Sequence, residues 1–191
     1  MDREGSRLSL PANAHRELAP GEVYRPVIPP DTPCPEVTRR SVVAGIAMTI
    51  FFSAAVAYLT LKIGQGLEAA IPISILAIGL ATLFKRRSTL LENVNIVAIG
   101  ATSGIVVGGS LFVMPAISIL GLDRLSSFFQ IFFVPLLGAV LGVLLLIPFR
   151  RYFVAKMHGK LPFPEATACT EVLVTGEQGG SQAKVLLKAM G

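Results

Sequence analysis

The chain has few of the residues that metal, redox and intramembrane catalytic sites require. Trp is absent, and only two Cys and two His occur among the 191 residues. Cys34 and Cys169 do not have the spacing of a metal or redox site, so we interpret them as unpaired thiols. His15 and His158 lie outside every long apolar run, and no run contains a Ser/His or paired-Asp arrangement. From the sequence we therefore expect neither a metal site nor a cofactor, and we do not expect the protein to be an enzyme.

Charged residues are also scarce. They make up 15% of the chain and hydrophobic residues 52%, whereas a soluble domain carries roughly 25% charged residues. Four apolar runs stand out, at about 41–61, 69–84, 94–120 and 127–149. Three of them reach the roughly 20 residues that cross a hydrocarbon core, and the run at 69–84 is short. We expect an all-α fold, a polytopic transmembrane helix bundle in a cell or inner membrane.

The net charge of +5 reflects basic residues at the ends of these runs. If all four runs are spans and the N-terminus is cytoplasmic, every basic cluster lies on the cytoplasmic side, as the positive-inside rule requires. The clusters are Arg39 and Arg40; Lys85, Arg86 and Arg87; and Arg150, Arg151, Lys156 and Lys160. The clusters do not form a basic stripe interleaved with aromatic residues, so the sequence does not indicate nucleic-acid binding.

Residues 1–38 are polar and rich in proline, as in "RPVIPPDTPCPEV". Such a composition cannot bury a core, so we expect a disordered or extended cytoplasmic arm. It is not a secretory signal, because the first apolar run begins only at about residue 41. Residues 39–191 then form the transmembrane domain.

The connector after the first run contains Lys62, Gly64 and Gln65, and Pro72 follows in the short second run. One interpretation is a plain turn with Lys62 extended to the membrane interface. The other is a broken or re-entrant helix that exposes backbone groups at a midplane site. Under the second, Lys62 and Gln65 are candidates for a ligand path.

Polar residues also stand at the start of the third run, in "STLLENVN". We expect Glu92 to complement the positive end of a helix. Asn93 and Asn95 are candidates for lining a polar path, because an amide facing lipid would need partners. Glycines further along this run and the next predict close helix packing; they are Gly100, Gly104, Gly108, Gly138 and Gly142.

The segment "LPFPEATACTEVLVTGEQGG" predicts a half-helix at 164–175, too short to span. Pro162 and Pro164 exclude helix before Glu165, and Pro164 suits a first helical position. A further helix starts within 181–191. One face of the half-helix carries Thr167, Thr170, Glu171 and Val174.

The two glutamates of this half-helix differ in position. Glu165 lies in the first turn, where the helix dipole stabilises its charge, so we expect a structural role. Glu171 lies deeper, where less water would favour the neutral form that a proton-coupling carboxylate needs. The alternative is that Glu171 pairs with a cytoplasmic Lys or Arg.

Three blocks of the chain resemble the oligopeptide transporter (OPT) family, on the side of its bacterial and yellow stripe-like members. "LPFPEATACTEVL" is similar to the family signature Pro-Glu-Gly-x-Ala-x-Ala-Glu-Val-Leu, with Ala166 in place of the glycine. "AYLTLKIG" with Ile71 and Pro72 is the second block, and "STLLEN" with Pro115 is the third. Glu68, Val97 and Gly104 depart from the family pattern.

The resemblance implies an N-terminal piece of a longer secondary active transporter. It further implies proton-coupled uptake of small oligopeptides or metal-peptide-like chelates by alternating access. The implied partners are the lipid bilayer, the peptide or chelate, protons and the remaining spans. A structural or assembly subunit of a membrane complex is the alternative, because glycine-faced helices serve that use equally well.

Overall fold

The computed structural model describes residues 9–83, 88–122 and 127–177, and within these ranges helices are the one type of regular secondary structure. A π-helical turn, Tyr152–Lys156, continues the fifth helix. The helices are α1 (Arg39–Ile63), α2 (Ala70–Leu83), α3 (Leu90–Gly100), α4 (Thr102–Ile119), α5 (Phe128–Arg151) and α6 (Pro164–Glu177).

Three stretches are long and apolar enough to cross a membrane. They are Arg39–Ile63, Leu90–Ile119 and Phe128–Lys156, of which the second comprises α3 and α4. The 14 residues of α2 give a length of about 21 Å, short of the roughly 30 Å of a hydrocarbon core. The all-helical, membrane-spanning fold class expected from the sequence is confirmed.

Local sequence explains how α1 begins and ends. At its start, the Ser41 backbone N–H donates to the Thr38 hydroxyl at 3.1 Å, and the Thr38 N–H donates to the Ser41 hydroxyl at 3.0 Å. At its end, Gly64 adopts φ +75°, and its N–H donates to the Thr60 carbonyl. This left-handed conformation favours glycine and terminates the helix.

Two compact units divide the chain, and the first comprises Met1–Met48, Ala70–Gly100 and His158–Gly191. Within the described part of this unit, α2 packs against both α3 and α6. Ile78 of α2, Leu90 of α3, and Leu173 and Val174 of α6 form a buried cluster. The short second helix is therefore the central element of this unit.

Residues 9–38 contain turns and extended backbone but no helix before Arg39. Leu10, Val27 and Ile28 pack against the cluster formed by α2, α3 and α6. The His158 ring lies 5.0 Å from the Tyr24 ring, and Lys160 pairs with Glu17 at 3.1 Å. The described part of the arm thus lies along the first unit.

The second unit comprises Thr49–Ala69 and Ala101–Met157. Its helices α4 and α5 border an apolar groove of about 930 Å³. Ser127 begins α5, and its backbone N–H donates to the Gln130 side chain at 3.0 Å. No residue of α5 is buried within the described structure.

Several predicted bounds differ from the structure by a few residues, two of them beside the polar residues, and one prediction lies outside it. The third apolar run is helical from Leu90 rather than from 94, and α6 continues to Glu177 rather than ending at 175. A turn at Ala101 separates α3 from α4. The helix start predicted within 181–191 lies outside the described residues.

Candidate functional site

The start of α3 gathers the polar residues of "STLLEN" around one helix end. The Thr89 backbone N–H donates to Glu92 Oε2, and the Glu92 N–H donates to the Thr89 hydroxyl. This reciprocal pair is a capping box, which satisfies two backbone groups that a helix leaves free at its start. The Ser88 hydroxyl donates to Asn93 Oδ1 at 3.1 Å. Glu92 and Asn93 are both buried, at 8% and 3% exposure.

A small cavity of about 10 Å³ lies beside this helix end. That volume is enough for about one water molecule, and the lining is polar enough to bind it. Arg40 and Ser41 of α1 contribute to the lining together with Ser88, Glu92 and Asn93. The cavity is too small for a peptide, so at this helix end it can take part only in local hydration or proton movement.

The N-terminal arm reaches the same helix. The Thr89 hydroxyl donates to the Pro35 carbonyl at 2.9 Å, and the Asn95 amide donates to the Glu36 carbonyl at 3.3 Å. Thr89 therefore caps α3 and also binds the N-terminal arm. Asn95, a path candidate from the sequence, contacts the arm in this structure.

Glu171, the sequence candidate for proton coupling, lies on the exposed face of α6. Its Oε1 is 3.2 Å from His15 Nε2, and 55% of its side chain is exposed. From the sequence we expected less water around Glu171, with a Lys or Arg as the alternative partner. Thr167 is half-buried, whereas Thr170 is exposed and donates to the Ala166 carbonyl.

The structural residues of the signature lie at the start of α6. Pro164 is the first residue of the helix, Pro162 precedes it outside regular secondary structure, and Glu165 is exposed in the first turn. Cys169, one turn further along the helix, is buried, and burial raises the pKa of its thiol. The Ser74 hydroxyl opposes this through a hydrogen bond, and the charge of Glu165 adds to the rise.

Glu177 is a carboxylate that the sequence analysis did not select. It is the last residue of α6, and the backbone N–H of Leu90, the first residue of α3, donates to it. Its Oε2 atom is buried, and no described residue forms a hydrogen bond with it. Sequence reasoning missed this residue because it follows Gly176, which we expected to end the helix.

Lys62 and Gln65 belong to the second unit and are both exposed. Lys62 Nζ lies 5.6 Å from the centre of the Tyr58 ring, within range of a cation–π contact. In the same connector, Glu68 lies against α4. A Cβ at Gly104 would be 2.8 Å from Glu68 Oε2, so this glycine permits the close approach. Pro72 lies in the first turn of α2, where the helix needs no N–H from it.

Comparison with known proteins gives the family. The family model described as "OPT oligopeptide transporter protein" matches residues 36–191. The chain belongs to the OPT family. A Haemophilus influenzae protein named as an oligopeptide transporter is 33% identical over 128 residues, which is 67% of this chain. The chain spans 20% of the length of that relative. No solved structure matches the present chain.

The OPT match includes both polar regions of the first unit. The capping box of α3 and the whole of α6 lie within residues 36–191, whereas most of the N-terminal arm precedes them. Together with the three apolar stretches, membership identifies an integral membrane protein of a transporter family. The OPT signature thus coincides with the half-helix that packs on α2 and α3.

Proposed function

We propose that this chain is part of a secondary active transporter that takes up small oligopeptides or metal-peptide-like chelates, driven by a proton gradient. The observation that carries the proposal is the OPT family match over residues 36–191. The name of the Haemophilus influenzae relative supports peptides as the ligand class. Such transport needs no covalent step, so no residue is assigned a catalytic role.

In the first unit, we propose that Asn93, Asn95, Thr167 and Glu171 line the polar path of the ligand or the ion. Amides, a hydroxyl and a carboxylate can replace the hydration of a zwitterionic ligand. The contacts of Asn95 with the arm and of Glu171 with His15 support a path that the arm covers in this conformation.

In the second unit, we propose that Lys62 and Gln65 bind the anionic end of the ligand. Lys62 follows an uncharged stretch of α1 and is followed directly by the Gly64 turn. An exposed ammonium group beside a turn can meet a carboxylate without disturbing the helix. The cation–π contact with Tyr58 orients the side chain.

We also propose that the N-terminus is cytoplasmic. The support is the distribution of Lys and Arg: when α2 crosses the membrane together with the three longer stretches, every basic cluster lies on one side.

Uptake by the purified intact transporter in liposomes tests the function. Labelled tripeptides and labelled metal chelates are offered separately, each with and without an inward proton gradient. We expect accumulation of one ligand class, and its loss when a protonophore removes the gradient. Accumulation that ignores the proton gradient but follows sodium would contradict the coupling, and no uptake of either class would favour the assembly subunit.

A further inference from the structure

The carboxylate of Glu177 joins the end of α6 to the start of α3. The Leu90 backbone N–H donates to it, and Leu90 is the first residue of α3. Helix starts have free N–H groups and favour an anionic acceptor. One oxygen, Oε2, is nevertheless buried and has no hydrogen-bond partner among the described residues. A protonated carboxyl group suits such an oxygen better than an ionised one, because a buried anion without partners is costly.

Packing holds this end of α6 close to its neighbours. Leu173 and Val174, the turn before Glu177, are each 4% exposed in the cluster with Ile78 and Leu90. A Cβ at Gly176 would overlap the Ile78 side chain, so the glycine lets α6 approach α2 closely. The position of Glu177 is therefore set by the packed helices, and movement of α6 away from α3 would bring the buried Oε2 atom into water.

Burial raises the pKa of Glu177 above its ordinary value of 4.5, and the hydrogen bond from Leu90 offsets only part of that rise. The docked arrangement thus binds a proton more tightly than one in which Glu177 is in water. Docking is fully supported below the ordinary value and weakens as the pH rises through the raised pKa. Ionisation, rather than protonation, is what favours release.

Few other charged groups lie on the helices around Glu177. Described α2 has no titratable residue. In α3 there is Glu92, which caps its own helix, and α6 also carries Glu165 and Glu171, both exposed, and the buried Cys169. The arm brings His15, which contacts Glu171. The other titratable residues in the described part of the arm do not contribute to the raised pKa of Glu177. They are Arg16, Glu17, Glu22, Tyr24, Arg25, Asp31, Cys34 and Glu36. Lys85, Arg86 and Arg87 lie outside the described residues.

We propose that Glu177 is a proton-binding site whose protonated form keeps α6 docked on the start of α3 and whose ionised form releases it. On release the proton passes to solvent water and the carboxylate becomes hydrated. The inference rests on the proposed proton-coupled transport, within which it assigns the proton site to the end of the half-helix. Glu171, exposed on the same helix, has a different environment and serves as the comparison.

Labelling of Cys169 tests the docking step without measuring transport. Cys169 is buried on α6, so release of the helix should expose it. The intact transporter is prepared with every other cysteine replaced by serine, and maleimide labelling is measured from about pH 4.5 to about pH 8. Each rate is divided by that of the same protein after denaturation, which corrects for thiol ionisation.

The neutral variant Glu177→Gln copies the protonated carboxyl group in shape and charge. We expect its normalised labelling to stay low across the pH range, whereas labelling with Glu177 present rises severalfold. Glu171→Gln should keep the rise, because Glu171 is not at the docked end. Equal pH profiles for Glu177→Gln and the unsubstituted protein would overturn the proposal. So would failure of Glu177→Gln to reach the membrane, because a neutral side chain is what the docked state is proposed to hold.

A second measurement separates this inference from the proposed function. In liposomes, Glu177→Gln should lose proton-driven accumulation while retaining exchange of labelled for unlabelled ligand. If the unsubstituted transporter shows no proton dependence yet Cys169 labelling follows Glu177, the coupling proposal fails and the docking proposal stands. If uptake is proton-driven and Glu177→Gln accumulates ligand normally, the docking proposal fails and the coupling proposal stands.

Discussion

Thr89 and Glu92 cap α3 reciprocally: the Thr89 backbone N–H donates to Glu92 Oε2 at 3.1 Å, and the Glu92 N–H donates to the Thr89 hydroxyl at 3.2 Å. The pair lies within "STLLEN" and is partly buried. It fixes where α3 begins, and so it also fixes the position of the Leu90 N–H that Glu177 binds.

Removing either half of this capping box should destabilise the protein. We expect Thr89→Val and Glu92→Leu each to lower the free energy of unfolding by about 1 kcal/mol, the usual value of a lost cap. Thr89→Val should have the larger effect, because its hydroxyl also donates to Pro35. Glu92→Gln, which retains an acceptor oxygen, is the control. Because Thr89 and Glu92 bind each other, the double variant should lose less stability than the sum of the two single variants. Thermal unfolding in detergent measures this difference, and strictly additive losses would contradict the reciprocal cap.

Gly100 and Gly138 should respond differently to a methyl group. A Cβ at Gly100 would be 2.9 Å from Ile73 Cγ2, and Ile73 is fully buried and unable to move aside. We expect Gly100→Ala to destabilise the first unit by about 1–3 kcal/mol. In the described structure, nothing lies within 4 Å of a Cβ at Gly138. Gly138→Ala should therefore leave the melting temperature unchanged or raised, and an equal loss in both variants would refute the packing explanation.

Lys62 provides a test of ligand binding in the second unit. We expect Lys62→Met to reduce kcat/KM for uptake by about tenfold or more, because an ammonium group that meets a carboxylate is lost. Lys62→Arg, which keeps the charge and the contact with Tyr58, should retain most of the uptake. Initial rates in liposomes, corrected for the amount of protein inserted, give the comparison. Unchanged kinetics in Lys62→Met would leave this residue with an interfacial role only.

The orientation of the N-terminus can be measured with two cysteine substitutions. Glu17 of the arm and Gln65 of the connector are both exposed and lie on either side of the first span. In a variant without other cysteines, an impermeant thiol reagent should label Gln65→Cys in intact cells. The same reagent should label Glu17→Cys only after the cells are opened. The reverse pattern would show that the N-terminus is outside.

Hydropathy predicted most of the helices, because lipid-facing and buried residues of a membrane helix are both apolar. It placed the start of α3 too late, since Leu90 to Asn93 include polar residues that belong to the cap. Gly176 looked like a helix end from sequence, but its missing side chain serves the contact with Ile78. Glycine can either end a helix or permit close packing within one, and the sequence alone does not distinguish the two.

The environment of each carboxylate was less predictable than the helices. Position within α6 suggested that Glu171 would have less water than Glu165, yet both are exposed, and Glu171 contacts His15. On α6, the carboxylate with a buried oxygen is Glu177, which contacts Leu90, far away in the sequence. Periodicity identifies the face of a helix, but the neighbour that covers the face comes from tertiary packing.

α5 has no buried residue within the described structure, although it is 24 residues long and continues into an apolar turn. No other residue of the described chain covers its Leu, Val and Phe side chains, so lipid can solvate them directly. During biosynthesis such a helix can leave the translocon singly, before its eventual contacts exist. A charged residue placed at the centre of α5 would then hinder insertion into the membrane, at a free-energy cost of about 2.5–3.5 kcal/mol, before folding begins. Damage to α5 should thus appear as a wrong number of membrane crossings, whereas damage to α2 should appear as a loosened fold.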